Sequence, residues 1–246
     1  MGRQLKKLLL ILIYTSLFVA CKKENMCDCL KSTGSIEKEQ RTVSDFTMIE
    51  VHKNIYVTLI QDTINSVEVE AGKHLLPLIK TEVTDGTLYI TNDNKCNWVR
   101  SYSIEINVYI HVKNLEELRS YSSKNIHSAN TITTTVINIY DFNSGDISLD
   151  ISSNESYTKQ MGAAGDIKVT GNTNFNYVFD QGYGFLHLEN LQSNSALIVQ
   201  HGTGDIYIQT KDALDVEITD VGNVYYSGNP VISQRPSVGS GKLIHD

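Results

Sequence analysis

Glycine recurs at a near-constant interval through the second half of this 246-residue chain, and no other feature narrows its possible folds so far. The segments are Asn-Ser-Gly-Asp-Ile (143–147), Ala-Ala-Gly-Asp-Ile (163–167) and Gly-Tyr-Gly-Phe-Leu (182–186). They continue as Gly-Thr-Gly-Asp-Ile (202–206), Asp-Val-Gly-Asn-Val (220–224) and Gly-Ser-Gly-Lys-Leu (239–243). Their central glycines, Gly145, Gly165, Gly184, Gly204, Gly222 and Gly241, are 20, 19, 20, 18 and 19 residues apart, and a degenerate copy at 122–126 centres on Lys124. A period of this size marks a solenoid, because one short repeat cannot bury its own apolar face and must stack on the next.

Each interval has room for two short strands. Apolar residues follow each glycine (Ile147, Leu149 and Ile151; Ile167 and Val169; Leu186 and Leu188; Ile206 and Ile208; Val224 and Tyr226). Others precede the next one (Phe175, Tyr177 and Phe179; Leu197 and Val199; Val216 and Ile218). Most alternate with polar residues, which assigns them to an inward face of coils stacked roughly 4.8 Å apart. The six glycines are expected at one repeated corner, where positive φ or close backbone approach excludes a Cβ. Asp146, Asp166 and Asp205, with Asn125 and Asn223 at the equivalent step, are expected to accept turn amide hydrogen bonds. The rival is a calcium ladder. It is disfavoured because the calcium-binding β-roll has a nine-residue period and richer glycine, so no metal is assigned.

Three prolines and thirteen tyrosines, with many Thr, Ile, Val, Asn and Ser, favour strands and turns. The net charge is −7 and no basic stripe is present, which argues against a nucleic-acid partner. Residues 1–20 read as a signal peptide: Arg3, Lys6 and Lys7, then an apolar run from Leu8 to Ile13, then Leu17-Phe18-Val19-Ala20 before Cys21. The apolar run is short against the roughly 20 residues of a membrane span. The segment resembles a bacterial lipoprotein signal, which implies lipidation of Cys21 and a membrane anchor, although Phe18 stands where leucine is usual. The alternative is an ordinary secretory signal. Residues 21–40 lack periodicity and read as a flexible tether. Cys27, Cys29 and Cys96 are candidates for a disulfide or remain free thiols; a zinc site is disfavoured because four ligands at the usual spacing are missing.

From 41 to 112 the chain is rich in strands. Phe46–Val51, Ile55–Ile60 and Ser66–Ala71 alternate, and Asp85-Gly86 supplies a hairpin turn. Residues 73–79 suit a helical turn that Pro77 keeps short. In 102–112, Ile104, Ile106, Val108 and Ile110 point one way, and Glu105, Asn107, Tyr109 and His111 the other.

The run Phe46…Ile49…Val51…Ile55…Val57…Leu59 resembles the putative auto-transporter adhesin, head-GIN domain family. So do Ser66-Val67-Glu68-Val69-Glu70, Asp85-Gly86-Thr87-Leu88-Tyr89-Ile90, Asn114-Leu115-Glu116-Glu117-Leu118 and the glycine repeats. The likeness covers about 41–245. It implies an exported lipoprotein of Bacteroidota with an all-β, right-handed, largely parallel β-helix and no demonstrated common activity. Lys124, Asn125, Phe185 and Lys242 depart from the usual Gly or Asp. The domain then spans 41–246, with 41–112 leading into regular coils over 113–246.

Gly239-Ser240-Gly241-Lys242 lacks the spacing and following helix of a phosphate loop. No Gly-x-Ser-x-Gly elbow occurs. The seven histidines form no paired motif, and His187 and His201 read as surface residues. Lys168 and His187 stand isolated in sequence, while Asp141 and Asp180 precede different turns. Tyr183, Tyr207, Tyr225 and Tyr226 offer a shallow sugar-stacking surface, against the plain preference of tyrosine for strands. The expectation is a non-enzymatic, cofactor-free, lipid-anchored protein of the cell envelope, an adhesin or ligand-binding surface protein of the outer membrane with a glycan or surface-protein partner. The alternatives are a carbohydrate-active β-helix and a structural accessory of an envelope complex.

Overall fold

The computed structural model describes residues 32–95, 105–235 and 238–246. Cys21, Cys27, Cys29 and Cys96, with the lipidation and disulfide assignments they carry, lie outside the described residues. Among the described residues, eighteen strands join one hydrogen-bonded sheet that wraps into a largely parallel β-solenoid.

Two walls form the coils. Wall one stacks β6 (Thr87–Asn92), β2 (Met48–Lys53), β8 (Glu117–Ser122) and β11 (Val136–Asp141) in parallel. It continues through the second halves of β12 (Ile147–Met161), β13 (Ile167–Gln181), β14 (Leu186–Gln200) and β15 (Ile206–Ile218) to β17 (Val231–Gln234). Wall two stacks β7 (Asn107–Val112), β3 (Tyr56–Gln61) and β9 (Ile126–Ser128). The first halves of β12 to β15 follow, then β16 (Val224–Ser227) and β18 (Leu243–His245). The glycine corner joins wall one to wall two. At the opposite corner, β12 to β15 bend without a break, and the two-residue β10 (Ile132–Thr133) pairs there with β12.

The stacking order departs from chain order. The coil β2–β3 lies between β6–β7 and β8–β9, so four strands of the 41–112 region, β2, β3, β6 and β7, already belong to the two walls of the solenoid. Antiparallel strands close this end: β4 (Ser66–Gly72) on β7, β1 (Ile36–Arg41) on β4, and β5 (Ile79–Thr84) on β6. β1 falls inside the stretch read as tether. It has no apolar alternation; backbone pairing and the Lys38–Glu68 ion pair at 2.8 Å place it on the edge. The hairpin turn carries positive φ at both Asp85 and Gly86, and the helical segment is one 3-10 turn, Leu76–Leu78, with Pro77 in its first positions.

Wall two lines the interior with aliphatic columns such as Ile126, Ile147, Ile167, Leu186, Ile206 and Val224, all fully buried. Wall one differs. Phe175, Tyr177, Phe179, Leu197 and Val199 face outward, against the assignment from periodicity, and Asn176, Val178, Asp180, Ala196, Ile198 and Gln200 face inward. Turn chemistry sets this parity. Asp180 Oδ1 accepts the Gly182 amide at 2.8 Å, and Gln200 Oε1 accepts that of Gly202 at 2.7 Å. Gln200 Nε2 donates to the Gly204 carbonyl at 2.7 Å, and Gln160 Nε2 to that of Gly165 at 2.6 Å. With positions 160, 180 and 200 turned in to satisfy the corner, every second residue before them must also point in, whatever its polarity.

Candidate functional surfaces

At the glycine corner the backbones approach too closely for any side chain. A Cβ on Gly165 would collide with the carbonyl of Gly145, and the same clash repeats from Gly184 to Gly165, Gly204 to Gly184, Gly222 to Gly204 and Gly241 to Gly222. None of these glycines has positive φ, so close approach and not handedness excludes a side chain there. The carboxylate and carboxamide ladder runs between coils. Asn125 Oδ1 accepts the amide of Asp146 at 3.2 Å, Asp146 Oδ1 that of Asp166 at 3.0 Å, and Asp166 Oδ1 that of Phe185 at 2.8 Å. Phe185 has no acceptor to pass on. The ladder resumes with Asp205 Oδ1 accepting from Asn223 at 2.7 Å, and Asn223 Oδ1 from Lys242 at 3.0 Å. These oxygens are engaged by amides, and no group of three or more His, Cys, Asp or Glu side chains is placed to hold a metal among the described residues.

Inside the corner, register aligns Asp141, Gln160, Asp180 and Gln200 on successive coils. Asp141 and Asp180 do not meet directly, because Gln160 separates them. Both are fully buried. Burial pushes the Asp141 carboxyl up to about 7, opposed by hydrogen bonds from the Asn143 and Phe142 amides and the Gln160 side chain. Burial likewise pushes Asp180 up to about 6, opposed by hydrogen bonds from the Gly182 amide and Gln200. An acid closed off from solvent in this way has no access to a substrate.

The outer face of wall one carries an aromatic and aliphatic centre: Tyr140, Tyr157, Phe175, Tyr177, Phe179, Leu197 and Val199, all half-buried. The Lys159 ammonium lies 4.9 Å from the Tyr140 ring centre and 5.8 Å from that of Tyr177. Charged residues flank the centre. Arg119 pairs with Glu117 at 2.7 Å on one side, and Arg235 with Glu217 at 2.6 Å on the other. Parallel rings continue the surface towards the corner, with His52–Tyr121 centroids 4.8 Å apart and Tyr121–Phe142 4.5 Å apart. A groove of about 600 Å³ follows, where Phe142, Met161, Tyr183 and His201 gather. Sequence reading missed this surface because it had turned Phe175, Tyr177, Phe179, Leu197 and Val199 inward; the signal was the inward pull of Asp180 and Gln200 on the turn.

On wall two, Lys168, His187, Tyr207 and Tyr225 fall on successive coils of one outward column. Lys168 and His187 are therefore neighbours. His187 stacks on Tyr207 at 5.3 Å, and Tyr207 on Tyr225 at 5.0 Å, so these faces are largely spent on one another. Tyr183 is 67% exposed at the corner, and Tyr226 meets His245 edge-on. His201 Nε2 lies 3.4 Å from Glu217 Oε1.

A polar cleft of about 470 Å³ lies on the opposite corner, lined by residues 172–174, 192–194 and 209–211 with Gly228 and Asn229.

A parallel β-solenoid with an aromatic wall and a polar corner cleft is a scaffold for surface contact. A family model described as putative auto-transporter adhesin, head GIN domain, matches residues 45–230, and the chain belongs to that family. The solved structure of a putative adhesin from Bacteroides fragilis is 21% identical with a TM-score of 0.79, over 86% of this chain and 97% of that one. A putative adhesin from Parabacteroides distasonis is 19% identical with a TM-score of 0.66, over 87% of this chain and 98% of that one. A protein of the same species, described as a putative lipid binding protein, is 20% identical with a TM-score of 0.65, over the same shares of 87% and 98%. No curated protein matches the chain. At these identities the likeness is one of fold.

Proposed function

We propose that this is a non-enzymatic adhesin of the cell envelope, anchored through lipid on Cys21, that meets its partner with the outer face of wall one. The observation that carries the reading is the outward-facing, half-buried aromatic centre with a charged surround. Protein–protein contacts share that anatomy, with aromatic residues enriched at the core and polar groups at the rim. Exposed apolar patches on a soluble domain mark interaction sites. Tyr and Phe on a rigid sheet add contact area while losing little side-chain entropy, and Lys159 adds a cation held over two rings.

The anchor reading is supported by the basic and apolar leader ending at Ala20-Cys21. Each acyl chain contributes about 0.8 kcal/mol per buried methylene, so two or more chains would hold a soluble solenoid on a membrane. The outer membrane is the proposed site.

Beads coated with the mature chain test the surface: they should adhere to mucin, matrix protein or bacterial cells, and Tyr177→Ser with Phe179→Ser should remove adhesion while leaving the circular dichroism spectrum unchanged. Undiminished adhesion by that variant would count against the wall-one reading. Metabolic labelling with an alkynyl fatty acid tests the anchor. Label is expected on the native chain and absent from Cys21→Ser, and an unlabelled native chain would refute lipidation. Protease shaving of intact cells then decides which side of the membrane the domain faces.

A further inference from the structure

We propose that the corner cleft is a non-catalytic binding site for an oligosaccharide, which lies along the solenoid axis with about one pyranose ring per coil. The site is separate from wall one and stands or falls independently of it.

Its lining repeats coil by coil. Residues 172–174 are Asn-Thr-Asn, 192–194 are Gln-Ser-Asn, and 209–211 are Gln-Thr-Lys. The middle hydroxyls turn inward and are committed to the backbone: Thr173 to the Phe175 carbonyl at 3.1 Å, Ser193 to that of Gln209 at 2.9 Å, and Thr210 to that of Asn194 at 3.3 Å. The outer carboxamides remain at the surface. Asn154, Asn174 and Asn194 form a ladder, with Asn174 Nδ2 donating to Asn154 Oδ1 at 3.3 Å and Asn194 Nδ2 to Asn174 Oδ1 at 3.1 Å. The ladder fixes the orientation of those amides in advance, which lowers the ordering penalty on binding. Gln192 and Asn229 stand outside it and are exposed.

The concavity has a structural origin. Between β14 and β15 the register passes from Leu188↔Ile208 to Gln192↔Gln209, so residues 189–191 bulge. Between β13 and β14 it shifts again, from Lys168↔His187 to Gly171↔Leu191. Bulges of this kind re-aim side chains and are enriched beside binding sites.

The chemistry of the lining selects the ligand class. A carboxamide offers both donors and acceptors, as does a sugar hydroxyl. Among the described residues no Asp, Glu or His lines the cleft, so that lining offers nothing to a cation and no acid–base pair for glycoside cleavage. Among the described lining residues there is no aromatic ring for a nucleobase and no large aliphatic side chain for an acyl chain, and one lysine is too little charge for a polyanion. Coils about 4.8 Å apart present their carboxamides at intervals comparable to the length of a pyranose ring. Lys211, the one charged side chain of the lining, is placed to meet a sugar carboxylate.

The test is binding of the mature chain to an array of short neutral pyranose oligomers and uronate-bearing counterparts, followed by calorimetry on the best binder. Gln192→Ala with Asn229→Ala should weaken binding at least tenfold, and the near-isosteric Gln192→Glu should weaken it without disturbing the fold. Lys211→Met should remove a preference for uronates while neutral sugars still bind, and no reducing ends should be released. Three outcomes would overturn the proposal: no glycan retained, affinity unchanged in the cleft variants, or loss caused by Tyr177→Ser in their place. Release of reducing ends would overturn its non-catalytic part.

Discussion

The carbonyl oxygen of Gly184 occupies the space that a Cβ on Gly204 would need. Neither partner can yield, because both belong to backbone held by coil pairing on each side. Gly204→Ala is therefore expected to destabilise the domain by about 2–3 kcal/mol, as overpacking does in rigid interiors. Gly162 supplies the control. Its φ of +67° strains an alanine, but nothing lies within 4 Å of the added Cβ, so Gly162→Ala should cost nearer 1 kcal/mol. Urea melts of the two variants measure the difference.

Asp141 and Asp180 make stability depend on pH. Their folded-state values, about 7 and about 6, lie above the ordinary 3.8, so the folded state holds protons that the unfolded state has released. Their contribution is fully present below about pH 4 and is lost as pH rises through 6 and 7. The half-buried acids Asp62, Glu68 and Glu217 are held low by their hydrogen-bond partners and act in the opposite sense, at lower pH. The domain should thus be more stable at pH 5 than at pH 8, by a few kcal/mol in order of magnitude. Asp141→Asn keeps the acceptor used by the Asn143 amide, and should raise stability at pH 8 and flatten the profile.

Adjacent residues on wall one should respond oppositely to charge. Phe179→Asp puts a carboxylate on the outer face and should change stability by about 1 kcal/mol or less. Val178→Asp puts it in the interior, where it has no partner, and should abolish cooperative unfolding at neutral pH. If Phe179→Asp unfolds the protein and Val178→Asp does not, the facing of β13 is wrong.

The amide ladder at the glycine corner should be independent of metal. Asp166→Ala removes the acceptor for the Phe185 amide and should cost about 1 kcal/mol. Phe185→Asn restores an acceptor at the interrupted rung, and a gain of about 1 kcal/mol is expected. Melting temperature should be the same with and without a chelator; a large fall with chelator would point to calcium between these carboxylates.

Period alone revealed the coils, because a glycine needed at one corner must recur with the length of the path around it. The aliphatic columns of wall two were also legible: Ile147, Ile167, Leu186 and Ile206 follow their glycines and have only the interior to fill. Likewise alternation put Ile106, Val108 and Ile110 on one side of their strand, and all three are buried.

On β15 of wall one Val216 and Ile218 were read as inward and are buried, but which side of β13 and β14 faces in was not legible, because two signals conflict there. Hydrophobic alternation pulls Phe175, Tyr177 and Phe179 inward, whereas the corner amides need Asp180 and Gln200 inside. A strand has only two parities, so the hydrogen bonds at its end decide all its residues together. Nor does a local pattern carry the identity of a strand's neighbours. The insertion of β2–β3 between β6–β7 and β8–β9, and the bulges that open the polar cleft, exist only once coils are in register. The amino-acid sequence thus determined that this chain coils, how long each coil is, and where it turns. Tertiary structure decided which surface the coils show, because pairing between coils sets facing and register for whole strands at once.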